Sequence, residues 1–419
     1  MIESTKMKQI TLFILSVLIF SCSKPTPQIY QWRGENRTGV YSETNLLQEW
    51  PENGPEEIWF AEGIGNGYGS PTITESEIFI TGEKDSTAWM FCYGLNGDLI
   101  WKKQYGKEWG RHYPGSRSAP TVVDNLVYAF TGMGILTCLE RKTGKIVWTR
   151  DYLEDLGGML PMHGFSEAPV IEGGKIFCTP GGPENNVAAL DRFTGDLLWS
   201  NPGKSEVMGY HPGNIIELPD RKIYITFSAY NMLGLDSETG ELLWIHAQDN
   251  IPPEKRKPGL GDTHSNNIIY ENGFIYYAAG TGNRGVKLRL SEDGTQITEV
   301  WRTPDLDSYM GGFVKLGNYI FGCGTRKKDL KSFHAETGAV IDSMRAGTGA
   351  VIAASNMLYY YNWGGDLSLI SCENGKLEKK SSFRINRGTS EHFSHPVIKN
   401  GVLYQRRGDA LMAFDIRAK

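Results

Sequence analysis

Paired cysteines are the first thing missing from this chain. Its 419 residues include six cysteines, Cys22, Cys92, Cys138, Cys178, Cys323 and Cys372, and no two are adjacent or spaced as CxxC. No zinc knuckle or thioredoxin-type redox motif is therefore legible. Each of the last five sits in an apolar, strand-like stretch such as Met90-Phe91-Cys92-Tyr93, where cysteine behaves as a small buried hydrophobe. An excess of one charge is missing too: 43 Lys and Arg stand against 48 Asp and Glu, for a net charge of -5, and the dense basic clusters are short, as in Arg326-Lys327-Lys328. Nucleic acid is not expected as a partner. The GxSxG, HExxH, EF-hand and phosphate-loop patterns are absent. Gly280-Thr281-Gly282 and Gly347-Thr348-Gly349 lack the following helix that a nucleotide site requires and read as turns.

What is there begins at the N-terminus. Lys6 and Lys8 precede an apolar run from Ile10 to Phe20, broken only by Thr11 and Ser16 and followed by Ser21-Cys22. Eleven residues at about 1.5 Å each cannot cross a hydrocarbon core of about 30 Å, so residues 1–21 read as a signal peptide. Ile19-Phe20-Ser21-Cys22, followed by Ser23-Lys24-Pro25-Thr26-Pro27, resembles a bacterial lipobox, although Phe20 stands where a small residue is usual. That resemblance implies lipidation of Cys22 and a tether over residues 22–30. It also implies an exported lipoprotein, on the periplasmic face of the outer membrane or on the cell surface of a Gram-negative bacterium, touching the membrane through its lipid.

The body of the chain repeats. An aliphatic-aromatic pair recurs at Ile78-Phe79, Val127-Tyr128, Ile176-Phe177, Ile223-Tyr224, Ile275-Tyr276, Ile320-Phe321, Leu358-Tyr359 and Leu403-Tyr404, with steps between the aromatics of 49, 49, 47, 52, 45, 38 and 45 residues. Turn sequences such as Asp124-Asn125, Gly173-Gly174 and Asn400-Gly401 join short alternating strands. A period in the forties with four strands per unit predicts an all-β, eight-bladed propeller of four-stranded antiparallel blades over residues 57–417. The last unit stops after its third strand at Ile416, and an orphan strand, Glu57-Ile58-Trp59-Phe60-Ala61, precedes the first unit. The N-terminal strand is expected to complete the last blade and close the ring.

In the first four units a tryptophan follows the glycine of the preceding turn by four residues, at Gly97/Trp101, Gly144/Trp148, Gly195/Trp199 and Gly240/Trp244. This Thr-Gly-x-x-x-Trp pattern resembles the repeat of quinoprotein-like (pyrroloquinoline-quinone-type) propellers, over nearly the whole mature chain. The resemblance implies that Trp59, Trp101, Trp148, Trp199 and Trp244 dock neighbouring blades. In later units Trp301 follows Gly294 by seven, and Met344 and Phe383 are expected in the tryptophan's place. Gln31-Trp32-Arg33-Gly34, Asn36-Arg37 and Glu49-Trp50-Pro51 resemble the lead-in of an envelope-resident branch that includes an outer-membrane assembly lipoprotein. Residues 31–56 are read as a strap packed on the ring.

Six of the eight histidines fall in loops that lead into innermost strands: His112, His163, His211, His264, His392 and His395. With Arg111, Arg117, Glu167, Asp262, Tyr68 and Tyr113, they are expected to converge on one funnel, where a rigid scaffold presents binding groups. Imidazole serves as donor, base or metal ligand near neutral pH, so a metal role stays open. Arg111 and Arg117 suit an anion, and Trp363 offers a platform for a sugar. The expectation is a non-redox module holding a protein, glycan or small polar or anionic ligand, with no cofactor. Two alternatives stay open. One is a lyase or hydrolase on acidic saccharides, with His163 or His264 as base and Arg117 on the carboxylate. The other is a divergent quinone dehydrogenase using pyrroloquinoline quinone and a divalent ion, against which the lack of adjacent cysteines stands.

Overall fold

A computed structural model describes residues 28–248, 251–257, 266–280, 282 and 284–418. The signal segment, Cys22, Asp262 and His264 lie outside the described residues.

Eight blades of four antiparallel strands make the ring, seven from consecutive strands over residues 72–107, 121–151, 170–201, 214–247, 268–303, 313–345 and 349–384, and the eighth from 397–415 with 56–61. Glu56–Ala61 pairs antiparallel with Ala410–Asp415, so a strand from the start of the ring supplies the outermost strand of blade 8. The helical content among the described residues is three short 3-10 turns.

The repeat has a steric cause visible in the register. In blades 1, 2, 3, 5 and 8 one row runs from the recurring aromatic, through a residue of the third strand, to the tryptophan: Phe79, Cys92 and Trp101 in blade 1, and Tyr128, Cys138 and Trp148 in blade 2. Blades 3 and 8 repeat it with Phe177, Ala189 and Trp199, and with Tyr404, Ala413 and Trp59. In blade 4 the row of Trp244 runs through Gly234 to Ile225, one residue from Tyr224. A small central residue leaves room for two rings, whose centroids lie 6.0 Å apart in Phe79–Trp101 and 6.1 Å in Tyr128–Trp148. Cys92 and Cys138 are therefore small core residues. All five described cysteines are buried and unpaired with one another.

Each indole then reaches the next blade. Trp59, Trp101, Trp148, Trp199 and Trp244 donate Nε1–H to the backbone carbonyls of Leu95, Arg141, Arg192, Ser237 and Gly294, at 2.8–3.2 Å. Trp301 does the same to Ala335 at 3.0 Å, so blade 5 docks as the earlier blades do despite its altered spacing. The expectation for blades 6 and 7 needs correction. In the register Asp342 and Ser381, not Met344 and Phe383, hold the tryptophan position. The Asp342 carboxylate accepts the Leu377 N–H of blade 7 at 3.0 Å. At the next seam, Ser381 Oγ accepts the Trp50 N–H at 2.7 Å, and the Trp50 indole packs edge-on against Tyr359 and Phe383. There the N-terminal segment supplies the indole that blade 7 lacks.

That segment does more than pack on the ring. Ile29–Tyr30 pairs antiparallel with the innermost strand of blade 2, and Val40–Tyr41 pairs parallel with the innermost strand of blade 7. The chain thus rises along one wall of the axial channel, arches over, and descends along the other wall. Arg33, fully buried at the arch, donates to the carbonyls of Val351 (3.0 Å) and Phe313 (2.7 Å) and to His395 Nδ1 (2.7 Å), which joins blades 6, 7 and 8. Arg37 donates to Pro169 O at 2.7 Å on blade 3, and Asn214 of blade 4 reaches Asn36 O. Gly39 makes the arch fit: its φ is +74°, and a Cβ there would lie 2.1 Å from the Arg33 guanidinium. This segment is the plug of the ring, and Trp32 from it lines the central cavity.

Candidate functional site

Above the arch lies a cavity of about 560 Å³. Trp32 of the plug lines it, together with loops that lead into innermost strands: Tyr68 before blade 1, Tyr113 and Arg117 before blade 2, His163 before blade 3, Tyr210 before blade 4, Tyr309 before blade 6, and Phe393 and His395 before blade 8. Trp363 joins them from the turn between the second and third strands of blade 7.

The walls are ring faces held at fixed angles. Phe393 packs against Trp363 at 4.9 Å, Tyr68 at 5.5 Å and Tyr113 at 6.1 Å, and the Tyr68 hydroxyl donates to Glu391 at 2.8 Å. The loop bearing Arg117 is organised around Trp109, which is buried between the guanidiniums of Arg111 (5.4 Å) and Arg117 (5.6 Å). The Trp109 indole donates to His112 O at 2.9 Å, and Glu108 accepts the N–H groups of Trp109 and Gly132. Arg117 itself donates to the carbonyls of Gly115, His112 and Tyr113, which fixes its guanidinium against the cavity wall. Burial lowers its pKa, with the nearby Glu108 acting the other way.

The predicted histidine funnel is an aromatic one. Among the sequence-predicted residues, Arg117, His163 and His395 line the cavity, together with Tyr68, Tyr113 and Trp363. Arg111 and His112 are exposed and are not part of the cavity lining. Glu167 is buried among Thr179, Tyr224 and Tyr152, and burial raises it to about 7. His211 packs against Phe227 in the interior. His392 bonds the Tyr361 hydroxyl, and burial lowers it to about 4. His395 is neutral, since Arg33 can only donate, so Nδ1 must accept while Nε2–H donates to Met310 O at 2.8 Å. Burial and the Arg33 charge depress it to about 3. A histidine that opens an innermost strand is thus as often a blade fastener as a ligand group. Trp32, Tyr210, Tyr309 and Phe393 were not singled out from sequence; the unusual density of aromatics beside the strand starts was the available signal.

Arg33 and Arg37 beneath the cavity and Arg406 beside it are fully buried, and their guanidiniums hydrogen-bond backbone carbonyls. Burial lowers the first two to about 10 and Arg406 to about 9.

The family model described as outer membrane protein assembly factor BamB matches residues 92–344. The chain belongs to this family. It is a PQQ-type β-propeller, and its curated relatives include BamB of Yersinia pestis, 26% identical over 185 residues (42% of each chain). Tetrathionate hydrolase of Acidithiobacillus ferrooxidans is 22% identical over 320 residues, 65% of this chain and 58% of that protein. The chain therefore spans about half the length of these relatives. Among solved structures, BamB from Moraxella catarrhalis superposes with a TM-score of 0.62 at 13% identity, covering 86% of this chain and 100% of that one. A europium-containing methanol dehydrogenase gives 0.63 at 10% identity, covering 90% of each. At these identities the likeness is one of fold.

The dehydrogenase likeness raises the question of a quinone with its metal ion. Such an ion needs oxygen donors, and no carboxylate lines the cavity among the described residues. No cluster of three His, Cys, Asp or Glu side chains could hold a metal among them either. These residues do not fit that group.

Proposed function

We propose that the chain is a ligand-binding propeller of the bacterial cell envelope, and that its central cavity takes an anionic ring-bearing ligand, a sugar acid. The observation that carries this reading is the cavity's composition: stacked ring faces, one fixed guanidinium at the wall and three buried guanidiniums around it. Aromatic faces suit the C–H face of a sugar ring, and the guanidinium suits its carboxylate. Envelope residence is supported by the family's description as an outer membrane protein assembly factor and by the lipobox-like run ending at Cys22. Catalysis is the weaker reading, because the basic Nδ1 of His395 already accepts from Arg33 and its Nε2–H is donated to Met310 O, leaving His163 as the described candidate base in the lining.

The test is thermal unfolding of the purified protein with D-galacturonate, D-galactose and divalent ions. A rise in Tm with galacturonate alone, lost in Trp363→Ala, supports the reading. No shift with any sugar overturns it. A second reading, a partner protein of the outer membrane, is favoured by exposed apolar pairs on outermost strands, Leu99-Ile100 and Leu197-Leu198. Capture of a defined outer-membrane assembly component that survives Trp363→Ala but not Leu198→Lys would support it.

A further inference from the structure

A second groove, of about 530 Å³, opens between blades 6 and 7, and Trp363 lines both it and the central cavity. Two seams lack a blade tryptophan. Trp50 fills one, between blades 7 and 8, and the groove opens at the other. Three exposed cations converge on it, Lys328 and Arg345 from blade 6 and Lys379 from blade 7. Neighbouring cations are paired: Lys327 and Lys331 with Asp305 at 2.8 Å, and Lys380 with Glu378 at 2.6 Å. Lys328, Arg345 and Lys379 form no such ion pair among the described residues. The lining carboxylate, Asp366, is already engaged by Arg384 and Asn362.

The groove is also built rigidly. Gly347 N–H donates to Lys328 O at 3.0 Å, Trp363 N–H to Thr348 O at 2.7 Å, and Asn362 Nδ2 to Ala346 O at 3.1 Å. These bonds stitch the walls together. They also occupy backbone groups of Lys328, Ala346, Gly347, Thr348 and Trp363, and the groove offers side-chain cations and an indole face as recognition elements.

We propose that this groove is an anion subsite continuous with the central cavity, and that the ligand is an acidic polysaccharide. One sugar ring sits in the cavity, and the chain passes over Trp363 so that further carboxylates meet Lys328, Arg345 and Lys379. The inference rests on the reading of the cavity as a sugar-acid site and extends it from a monosaccharide to a polymer.

The experiment is calorimetric titration of the full chain with monomeric galacturonate, a galacturonate oligomer and poly-glutamate, for the wild type and for the double variant Arg345→Glu/Lys379→Glu. Both side chains are exposed, so an unchanged Tm certifies the fold of the variant. The expected result is an oligomer that binds at least about tenfold more tightly than the monomer. The double variant loses that advantage and its salt dependence, with monomer affinity unchanged. If the monomer binds and charge reversal leaves the oligomer's affinity intact, the groove is overturned while the cavity reading survives. If neither sugar binds, both readings fall. If poly-glutamate binds through these cations and the oligomer does not, the polysaccharide assignment is overturned in favour of an acidic protein segment.

Discussion

The indole of Trp101 lies against Gly144 of the next blade, where a Cβ would stand 2.6 Å from the ring at a backbone φ of +67°. The same contact recurs between Trp59 and Gly97, Trp148 and Gly195, Trp199 and Gly240, and Trp301 and Gly338. The Thr-Gly turn is thus the receptor for the preceding blade's tryptophan. Gly144→Ala both strains φ and pushes the indole away. It should cost about 2 kcal/mol or more in urea unfolding, with a fall in midpoint at unchanged slope.

The seams should differ in strength. Trp148→Ala leaves a cavity between blades 2 and 3, with an expected loss of about 3–5 kcal/mol. Asp342→Ala removes one acceptor for the Leu377 N–H and should cost about 1 kcal/mol. Equal losses in denaturant titrations would contradict the substitution of Asp342 for the indole.

That much of the fold was legible because blade docking is local. Ring, turn glycine and tryptophan recur in most units, and the same indole-on-glycine contact repeats between most neighbouring units. The path of the N-terminal segment was not legible. Nothing near Trp32 and Arg33 says that their partners are Val351, Phe313 and His395, more than 250 positions away. The histidines misled for a related reason. The start of an innermost strand is where polar side chains fasten neighbouring blades, and His392 and His395 do that work beside a cavity whose character comes from aromatics. Tyr68, Tyr113, Arg117, His163 and Trp363, read from sequence as loop residues of one face, line one cavity.

Acid stability tests the buried titratable groups. His395 and His392 are depressed to about 3 and 4 from an ordinary 6.5. The unfolded chain therefore binds protons that the folded one refuses, and stability falls as pH drops through that window. Glu108 and Glu167, raised to about 7 from 4.5, act oppositely, losing stability as pH rises from 4.5 to 7. The two pairs oppose each other between about 4.5 and 6.5. Tm should be nearly flat there and fall below 4.5, where the histidines act together with the carboxylates of Glu77, Glu299, Asp305, Glu336 and Asp342, which their partners hold below the ordinary range. In Glu167→Gln the plateau should become a rise with pH. A plateau that survives this substitution would contradict the assignment.

The plug should be separable from the ring in its effect. Arg33→Ala removes the guanidinium donor to Val351 O and one of the two side-chain donors to Phe313 O, the other being Asn267, and should cost about 2 kcal/mol. It should also raise the His395 pKa by removing the adjacent charge, a shift readable by NMR titration of the imidazole.

The central claim is that the aromatic cavity binds a sugar acid, and calorimetric titration of galacturonate into the full chain and into Trp363→Ala tests it most directly. A saturable heat in the wild type that falls at least about tenfold in affinity in the variant is the predicted result. No saturable heat, or equal affinity in both proteins, would contradict it.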